Sequence, residues 1–118
     1  MSKFSRDFEI GNLQIMTTVV HLKRKGGVVV QDCDVYIGRR MTMGGWNLPQ
    51  SKWANPFTIG HDGDRATVLT KYRAHVLSRP DLIAALPELA GKRLGCWCAP
   101  EPCHGNVLIE LLTTFTPH

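Results

Sequence analysis

The residues best suited to chemistry lie in one short segment near the carboxyl end of this sequence, residues 96–104. The segment contains three of the four cysteines and one of the five histidines. Thiolates and imidazoles are the ligands of structural zinc sites, and the spacing Cys-x-Cys-x4-Cys-His brings these side chains close together. We therefore predict zinc as a cofactor, with the ligands Cys96, Cys98, Cys103 and His104.

Three other interpretations of this segment stay open. A thiol beside an imidazole at a helix N-terminus is a good nucleophile, so Cys103 and His104 are catalytic candidates. Glu101 is the only carboxylate of the segment and therefore the local candidate for acid–base catalysis. Alternatively, the cysteines fill the core as small apolar groups and His104 caps the helix. A redox dithiol at Cys96 and Cys98 is a weaker alternative, because Cys-x-x-Cys is the usual redox spacing.

A strand, a turn and a helix are predicted to position these side chains. Residues 93–98 are typical of a buried strand, and alternation along a strand puts Cys96 and Cys98 on one face. The two prolines of the Ala-Pro-Glu-Pro turn that follows make it rigid. A helix is then predicted to begin near Cys103, with the buried residues Val107, Leu108, Leu111, Leu112 and Phe115.

Further strands are predicted where β-branched and apolar residues cluster, at residues 17–22, 28–30 and 34–38, with a basic turn at 23–27. Residues 41–63 keep neither a helical nor a strand period. Such a long loop is uncommon in a small domain and is usually functional or disordered. Because it contains two tryptophans and a phenylalanine, we expect it to be ordered and to lie over the strand ends.

Two helices are predicted between this loop and the cysteine segment. The first covers residues 65–78 and is capped by Asp62 or Asp64. The second covers residues 80–91, and Pro87 breaks or kinks it. The predicted buried residues of the two helices are Val68, Leu69, Tyr72, Val76, Leu82, Ile83, Leu86 and Leu89.

The order of these elements predicts an α/β fold. We expect a small, three-layer-like, Rossmann-like domain with about three to five short strands in a parallel or mixed sheet and about three helices. Residues 17–118 are interpreted as this single domain, and residues 1–16 as an N-terminal extension or an added strand. Ligands of open α/β sheets bind beyond the carboxyl ends of strands, which places the site after the strands that start near Asp34 and Arg93.

The composition is that of an ordinary globular domain, with 43% hydrophobic and 20% charged residues among 118. Four cysteines without a secretory signal indicate a reducing compartment, so we expect a cytoplasmic protein. No apolar run is long enough to cross a membrane, which argues against a membrane partner. The net charge of +4 suits an anionic ligand, although many proteins without such a ligand share this balance.

Two motifs carry a family resemblance: Trp-Ala-Asn-Pro-Phe at residues 53–57, and the string Leu-Gly-Cys-Trp-Cys-Ala-Pro-Glu-Pro-Cys-His-Gly at 94–105. Shorter matches are Val-Val-His-Leu at 19–22, Asp-Val-Tyr-Ile-Gly-Arg at 34–39 and Gly-Asp-Arg at 63–65. With them, the chain resembles an uncharacterised family of small phage and bacterial domains of unknown function. This resemblance implies which residues matter, but it implies no activity. In outline the chain is also similar to the Rossmann-like folds of nucleotide-processing enzymes.

Our leading hypothesis is that the domain binds a nucleotide-like or nucleic-acid ligand, and in its stronger form also processes it. As an enzyme it would be a hydrolase or transferase that acts on nucleotides or nucleosides. The candidate ligand-binding residues are Arg39, Trp53, Asn55, Arg65, Tyr72 and Gly105. The two arginines and the free amides at the start of the last helix would hold anionic groups. Trp53 and Asn55 would frame the base or sugar, and Gly105 would let the ligand approach the backbone.

The competing hypothesis is a non-enzymatic module, stabilised by zinc and basic in charge, that binds nucleic acid or a host protein. The aromatic residues of the loop would then be contact residues. The two hypotheses differ in the shape of the site. An enzyme needs a pocket of several hundred Å³ that reaches the cysteine segment, whereas a binding module can present a flat basic surface.

Overall fold

The computed structural model describes residues 16–115, which form an α/β fold of short strands and three helices. The strands are β1 (Thr18–His21), β2 (Lys23–Lys25), β3 (Val28–Gln31), β4 (Val35–Tyr36) and β5 (Arg93–Cys96). The helices are α1 (Arg65–Leu77), α2 (Pro80–Ala85), a 3-10 helix (Leu86–Leu89) that continues α2, and α3 (His104–Phe115). The predicted extension, residues 1–16, lies outside the described residues except for Met16.

The parallel sheet contains three strands, and β5 is its central strand. Both β1 and β4 pair with β5 in parallel, so that Val20 and Tyr36 lie on either side of Gly95. Residues 94–96 are buried, as expected for a strand covered on both faces. Position 95 has room only for glycine, because a Cβ there would lie 2.6 Å from the sulfur of Cys33. The carboxyl ends of all three strands therefore meet at one edge of the sheet.

The antiparallel hairpin of β2 and β3 follows β1. The basic residues 23–25 form β2, so the prediction that they belong to a turn is wrong. The turn consists of Gly26 and Gly27 alone, whose φ angles of 59° and 80° are those that a two-residue hairpin turn requires. Two consecutive glycines fix the turn, and the register then places residues 23–25 opposite residues 28–31.

The helices lie close to their predicted positions. Asp64 caps α1, since its carboxylate accepts the Thr67 N–H at 2.8 Å. The second predicted helix changes to a 3-10 helix after Ala85, where Pro87 cannot donate a backbone hydrogen bond. Phe115 is 44% exposed, which contradicts its predicted burial, because it is the last residue of α3 and lies beyond the core. The predicted buried residues that are buried are Val68, Tyr72, Val76, Leu82, Leu86, Leu89, Val107, Leu108, Leu111 and Leu112.

Helix α3 lies directly against the sheet because Gly105 has no side chain. A Cβ at this position would lie 2.8 Å from Cγ2 of Val19 and 3.0 Å from Cδ1 of Ile37. The long loop is fixed to α1 from inside the core, where the Tyr72 hydroxyl donates to the Trp53 carbonyl at 2.7 Å. Both residues are buried: the exposed fraction is 0% for Tyr72 and 1% for Trp53. No helix in the described range is both long and apolar enough to span a membrane.

The strand predicted for residues 93–98 ends at Cys96, so the prediction that Cys96 and Cys98 share a strand face is wrong. Pairing of β5 stops where β1 stops, with the Leu22 N–H donating to the Cys96 carbonyl at 3.1 Å. The chain then turns, and the Glu101 N–H donates to the Cys98 carbonyl at 2.8 Å. This turn returns the chain to the sheet edge at Cys103.

Candidate functional site

A cavity of about 500 Å³ opens at the carboxyl edge of the parallel sheet. We call it the arginine cavity. Its walls come from four segments: the residues after β4, the long loop, the first turns of α1, and the cysteine segment. The lining residues are Gly38, Arg39, Arg40, Met41, Asn55, Phe57, Thr58, Ile59, Arg65, Val68, Leu69, Cys96, Trp97, Cys98, Cys103 and His104. The loop thus lies over the strand ends.

Arg39 connects the end of β4 to the long loop. Its Nε and Nη2 atoms donate to the Asn55 carbonyl at 3.0 and 2.8 Å. Nη2 also lies 3.0 Å from the Phe57 carbonyl and 3.2 Å from Oγ1 of Thr58. The Asn55 side chain supports the same loop, because its Oδ1 accepts the Phe57 N–H at 2.9 Å. All of these acceptors are neutral, so they leave the charge of Arg39 uncompensated.

Arg65, the first residue of α1, connects this helix to the cysteine segment. Its Nη1 donates to the carbonyl of Pro102 at 2.8 Å, which is again a neutral acceptor. Arg40 is the third arginine of the wall, and its backbone N–H donates to Oε1 of Gln50 at 2.9 Å. None of the three belongs to an ion pair within residues 16–115, and no lining residue is an aspartate or glutamate. The arginine cavity is therefore electropositive.

Cys96 and Cys103 meet at this cavity, with 3.4 Å between their sulfur atoms. Cys96 is at the end of β5, and Cys103 immediately precedes α3. The sulfur of Cys103 accepts the Gly105 N–H at 3.3 Å, and its own backbone N–H donates to Oδ1 of Asn106 at 2.9 Å. These amides, which we expected to hold an anion, are thus used within the protein. The three arginines are the cationic side chains of the cavity wall.

The thiols of Cys96 and Cys103 form a hydrogen bond in which either sulfur can be the donor. The hydrogen bond from Cys103 lowers the pKa of Cys96 to about 6, although burial acts in the opposite direction. The N–H groups of Cys98 and Ala99 and the nearby His21 lower it further. The same hydrogen bond, together with burial, raises the pKa of Cys103. Cys103 was selected as the nucleophile from the sequence, and the structure adds Cys96 as a second candidate because the two sulfurs are in contact.

His104 is buried and held in one orientation. Its Nε2 lies 2.6 Å from the carbonyl oxygen of Ile37, and because a carbonyl only accepts, Nε2 carries the proton. Burial lowers the pKa of His104, so the ring stays neutral at physiological pH. The ring also packs edge-on against Tyr72, with 5.1 Å between the ring centroids. Only Nδ1 is left for acid–base chemistry or for a metal.

The predicted zinc ligands are not assembled as a metal site. Within residues 16–115, no three side chains among His, Cys, Asp and Glu are grouped so that they could hold an ion. Cys96 and Cys103 are close enough for one ion, but Nε2 of His104 is bonded to the main chain. The residues in this arrangement do not fit a four-ligand centre, and zinc stays a prediction.

The predicted site residues divide between the cavity wall and its support. Arg39, Asn55 and Arg65 line the cavity with Cys96, Cys98, Cys103 and His104. Trp53 and Tyr72 lie in the core beneath the loop, and Gly105 packs on the sheet, where it admits α3 and not a ligand. Glu101 is exposed in the turn, outside the cavity wall.

Several wall residues were not predicted, among them Arg40 and Trp97. Arg40 follows Arg39 directly, so the argument that selected Arg39, its position at the end of a strand, also applied to Arg40. Trp97 is fixed by a hydrogen bond from its Nε1 to the Tyr36 hydroxyl at 2.9 Å and by an edge contact with Trp46 at 5.4 Å between centroids. Nothing in the local sequence indicates these long-range partners.

Comparison with known proteins identifies relatives in viruses. The family model described as "Domain of unknown function (DUF4326)" matches residues 20–114, which include every lining residue of the cavity. "Uncharacterized protein R718" of Acanthamoeba polyphaga mimivirus is 48% identical over 101 residues, which cover 79% of this chain and 77% of that protein. The resemblance to a family of unknown function is confirmed.

A shorter match comes from Enterobacteria phage T4. Its "Uncharacterized 12.4 kDa protein in nrdA-td intergenic region" is 48% identical over 29 residues, or 25% of this chain and 27% of that protein. No solved structure matches the chain. The printed names of these relatives state no activity, so the argument for function depends on the site itself.

Proposed function

We propose that this chain, which belongs to the family described as "Domain of unknown function (DUF4326)", binds a nucleotide-like ligand in the arginine cavity. The observation that carries the proposal is the charge of the wall, which has three arginines and no carboxylate. In a partly enclosed site such charges attract an anion more strongly than they would in water. Planar guanidinium groups recognise phosphate, as they do carboxylate, through two parallel hydrogen bonds.

The volume of the cavity supports a small ligand. Sites for small molecules and cofactors have volumes of about 300–1,000 Å³, and the arginine cavity has about 500 Å³. Its wall also offers apolar surface from Phe57, Ile59, Val68, Leu69 and Trp97. The arginines of the wall suit the phosphate of a nucleotide, and the apolar side chains suit its flat base.

The arginines contribute in different ways. Arg39 uses Nε and Nη2 to hold the loop, so it supplies mainly its charge. Arg65 donates to the Pro102 carbonyl through Nη1 only, and we assign its remaining donors to the phosphate. The guanidinium of Arg40 makes no hydrogen bond within residues 16–115, so we assign it to the phosphate as well.

Processing of the ligand is the second part of the proposal. Cys96 lines the same cavity as the arginines, and the hydrogen bond with Cys103 lowers its pKa, which favours the thiolate. A thiolate beside a bound phosphate ester or glycosidic bond is a candidate nucleophile for hydrolysis or group transfer. Cys103, whose thiol contacts Cys96, would donate its proton to the leaving group, and water or an acceptor group would then cleave the bond to Cys96.

Calorimetric titration tests the binding proposal. Adenosine monophosphate is titrated against the wild type, Arg40→Ala and Arg65→Ala, and adenosine serves as the ligand without phosphate. The matched control is Arg79→Ala, because Arg79 is exposed and paired with Asp81 at 2.7 Å. Each hydrogen bond to a charged group contributes about 1.5–3 kcal/mol, so each cavity variant should bind roughly 10- to 100-fold more weakly.

Equal binding of the nucleotide and the nucleoside would overturn the proposal, as would equal losses in the control and the cavity variants. The other three common ribonucleotides are titrated in parallel. If none of the four ribonucleotides binds, the proposal is also overturned. A short single-stranded oligonucleotide tests the competing module. If its binding survives both cavity substitutions, nucleic acid is bound outside the cavity and the module is favoured.

A further inference from the structure

Two buried sulfur atoms lie side by side in the wall of the arginine cavity. Cys96 and Cys103 are both free thiols, with exposed fractions of 1% and 2%. All four cysteines fall in the described range, and Cys96 and Cys103 are the only two whose sulfur atoms are within hydrogen-bonding distance of each other. The pair joins the end of β5 to the residue that precedes α3, across the proline-bounded turn.

The two sulfurs are in direct non-bonded contact. They are 3.4 Å apart, and a disulfide is about 2.05 Å long, so closure needs a movement of about 1.4 Å. The main chain holds both residues in place. The Cys96 carbonyl accepts the Leu22 N–H at 3.1 Å, and the Cys103 carbonyl accepts the Asn106 N–H at 2.9 Å.

We propose that Cys96 and Cys103 form a redox-active dithiol that a peroxide oxidises to a disulfide. One sulfur, as the thiolate, attacks hydrogen peroxide; an S–O bond forms, the O–O bond breaks, and hydroxide leaves. The second sulfur, as the thiol, attacks this sulfenic acid; the S–S bond forms, the S–O bond breaks, and the oxygen leaves as water. In total, two thiols and one peroxide give one disulfide and two waters, and a dithiol reductant reverses the oxidation.

The surroundings explain why this pair reacts and why the oxidant is small. Neither sulfur can be approached from the outer surface, and the arginine cavity is the route that reaches both. Cys33 lies apart, packed over Gly95, and burial raises the pKa of its thiol. Cys98 is half-buried and has no sulfur partner in the described range. Oxidation of Cys33 or Cys98 by a peroxide would stop at the sulfenic acid or continue to irreversibly oxidised products.

This proposal concerns the thiols alone and does not depend on which ligand the cavity binds. The test starts from reduced wild-type protein treated with an equal amount of hydrogen peroxide. Free thiols are blocked with iodoacetamide, the protein is reduced, and the newly released thiols are labelled with N-ethylmaleimide. Because no Lys or Arg follows Arg93, one tryptic peptide carries Cys96, Cys98 and Cys103, and fragmentation of it assigns each label.

The expected result is a mass loss of about 2 Da on oxidation and maleimide on Cys96 and Cys103 alone. Cys98→Ser is the matched control and should give the same labelling. Cys96→Ser and Cys103→Ser should each form no intramolecular disulfide and should accumulate a sulfenic acid that dimedone traps. Maleimide on Cys33 or Cys98 in the wild type, or four thiols that all remain open to iodoacetamide, would overturn the proposal. Both of these outcomes are measured on the wild type, so they do not depend on whether a variant folds.

Discussion

The hydrogen bond from the Tyr72 hydroxyl to the Trp53 carbonyl should be the main link between the loop and the core. The oxygen atoms are 2.7 Å apart, and both residues are buried. Tyr72→Phe removes the hydroxyl and leaves the ring in place, so packing changes little. The carbonyl of Trp53 then loses its partner in a place that water does not reach.

The expected loss can be worked out from these facts. An ordinary hydrogen bond contributes about 0.5–1.5 kcal/mol, and a buried acceptor left without a partner costs about 1–3 kcal/mol. Both residues are fully buried, so the second figure applies, and we expect unfolding free energy to fall by about 2 kcal/mol. For a domain of this size the melting temperature should fall by roughly 6–10 °C.

Urea denaturation followed by tryptophan fluorescence measures this change. The control is Phe115→Ala, because Phe115 is 44% exposed and makes a small contribution to the core. The slope of unfolding free energy against urea should stay constant, since the buried area does not change. A loss for Tyr72→Phe no larger than that of the control would refute the assignment of this hydrogen bond as the link between loop and core.

Three further predictions concern α3, α1 and the thiols. Gly105→Ala should reduce the unfolding free energy by about 1–2 kcal/mol, because the clash of a Cβ 2.8 Å from a β1 side chain outweighs the gain in helix propensity; urea denaturation measures it. Asp64→Ala should lower the melting temperature at pH 7, and the difference from wild type should vanish in acid; circular dichroism at several pH values measures it. The rate of alkylation of Cys96, followed by mass spectrometry, should rise with pH through about 6.

The pH dependence of the Asp64 effect follows from its hydrogen bonds. The Thr67 N–H lowers the pKa of the Asp64 carboxyl from the ordinary value of 3.8. Its stabilising effect is therefore complete above 3.8 and is lost as the pH falls through the lower pKa of the folded state. A difference in melting temperature that persists below this range would contradict the role of the carboxylate. For Cys96, an alkylation midpoint that is unchanged by Cys103→Ser would contradict the hydrogen bond with Cys103 as the cause of its lowered pKa.

Local patterns were sufficient to predict the helices. Val68, Tyr72 and Val76 recur every four residues, and this period alone indicates the buried face of α1. The position of the cavity was also predictable, because parallel strands bring their carboxyl ends to one edge. These inferences succeed because each depends on a few neighbouring residues or on a rule that holds for the whole fold class.

Inferences that needed a tertiary partner failed. The sequence spacing favoured Cys96 with Cys98, but β5 ends where its pairing with β1 ends, and that end is set by residues far away in the chain. Cys103 returns to Cys96 through the turn, which no periodicity describes. Trp53 was predicted to contact a ligand, yet the structure places it in the core, because a loop pattern does not tell which indole α1 will cover.

The central position of β5 also determines the order in which the chain can fold. The hairpin of β2 and β3 and the helix α1 form from contacts within their own segments, so they can form while the chain is still being synthesised. The parallel sheet cannot, because β1 and β4 both pair with residues 93–96 near the carboxyl end. The arginine cavity, which needs both strand ends and α3, is therefore completed only after residues 93–115 have left the ribosome.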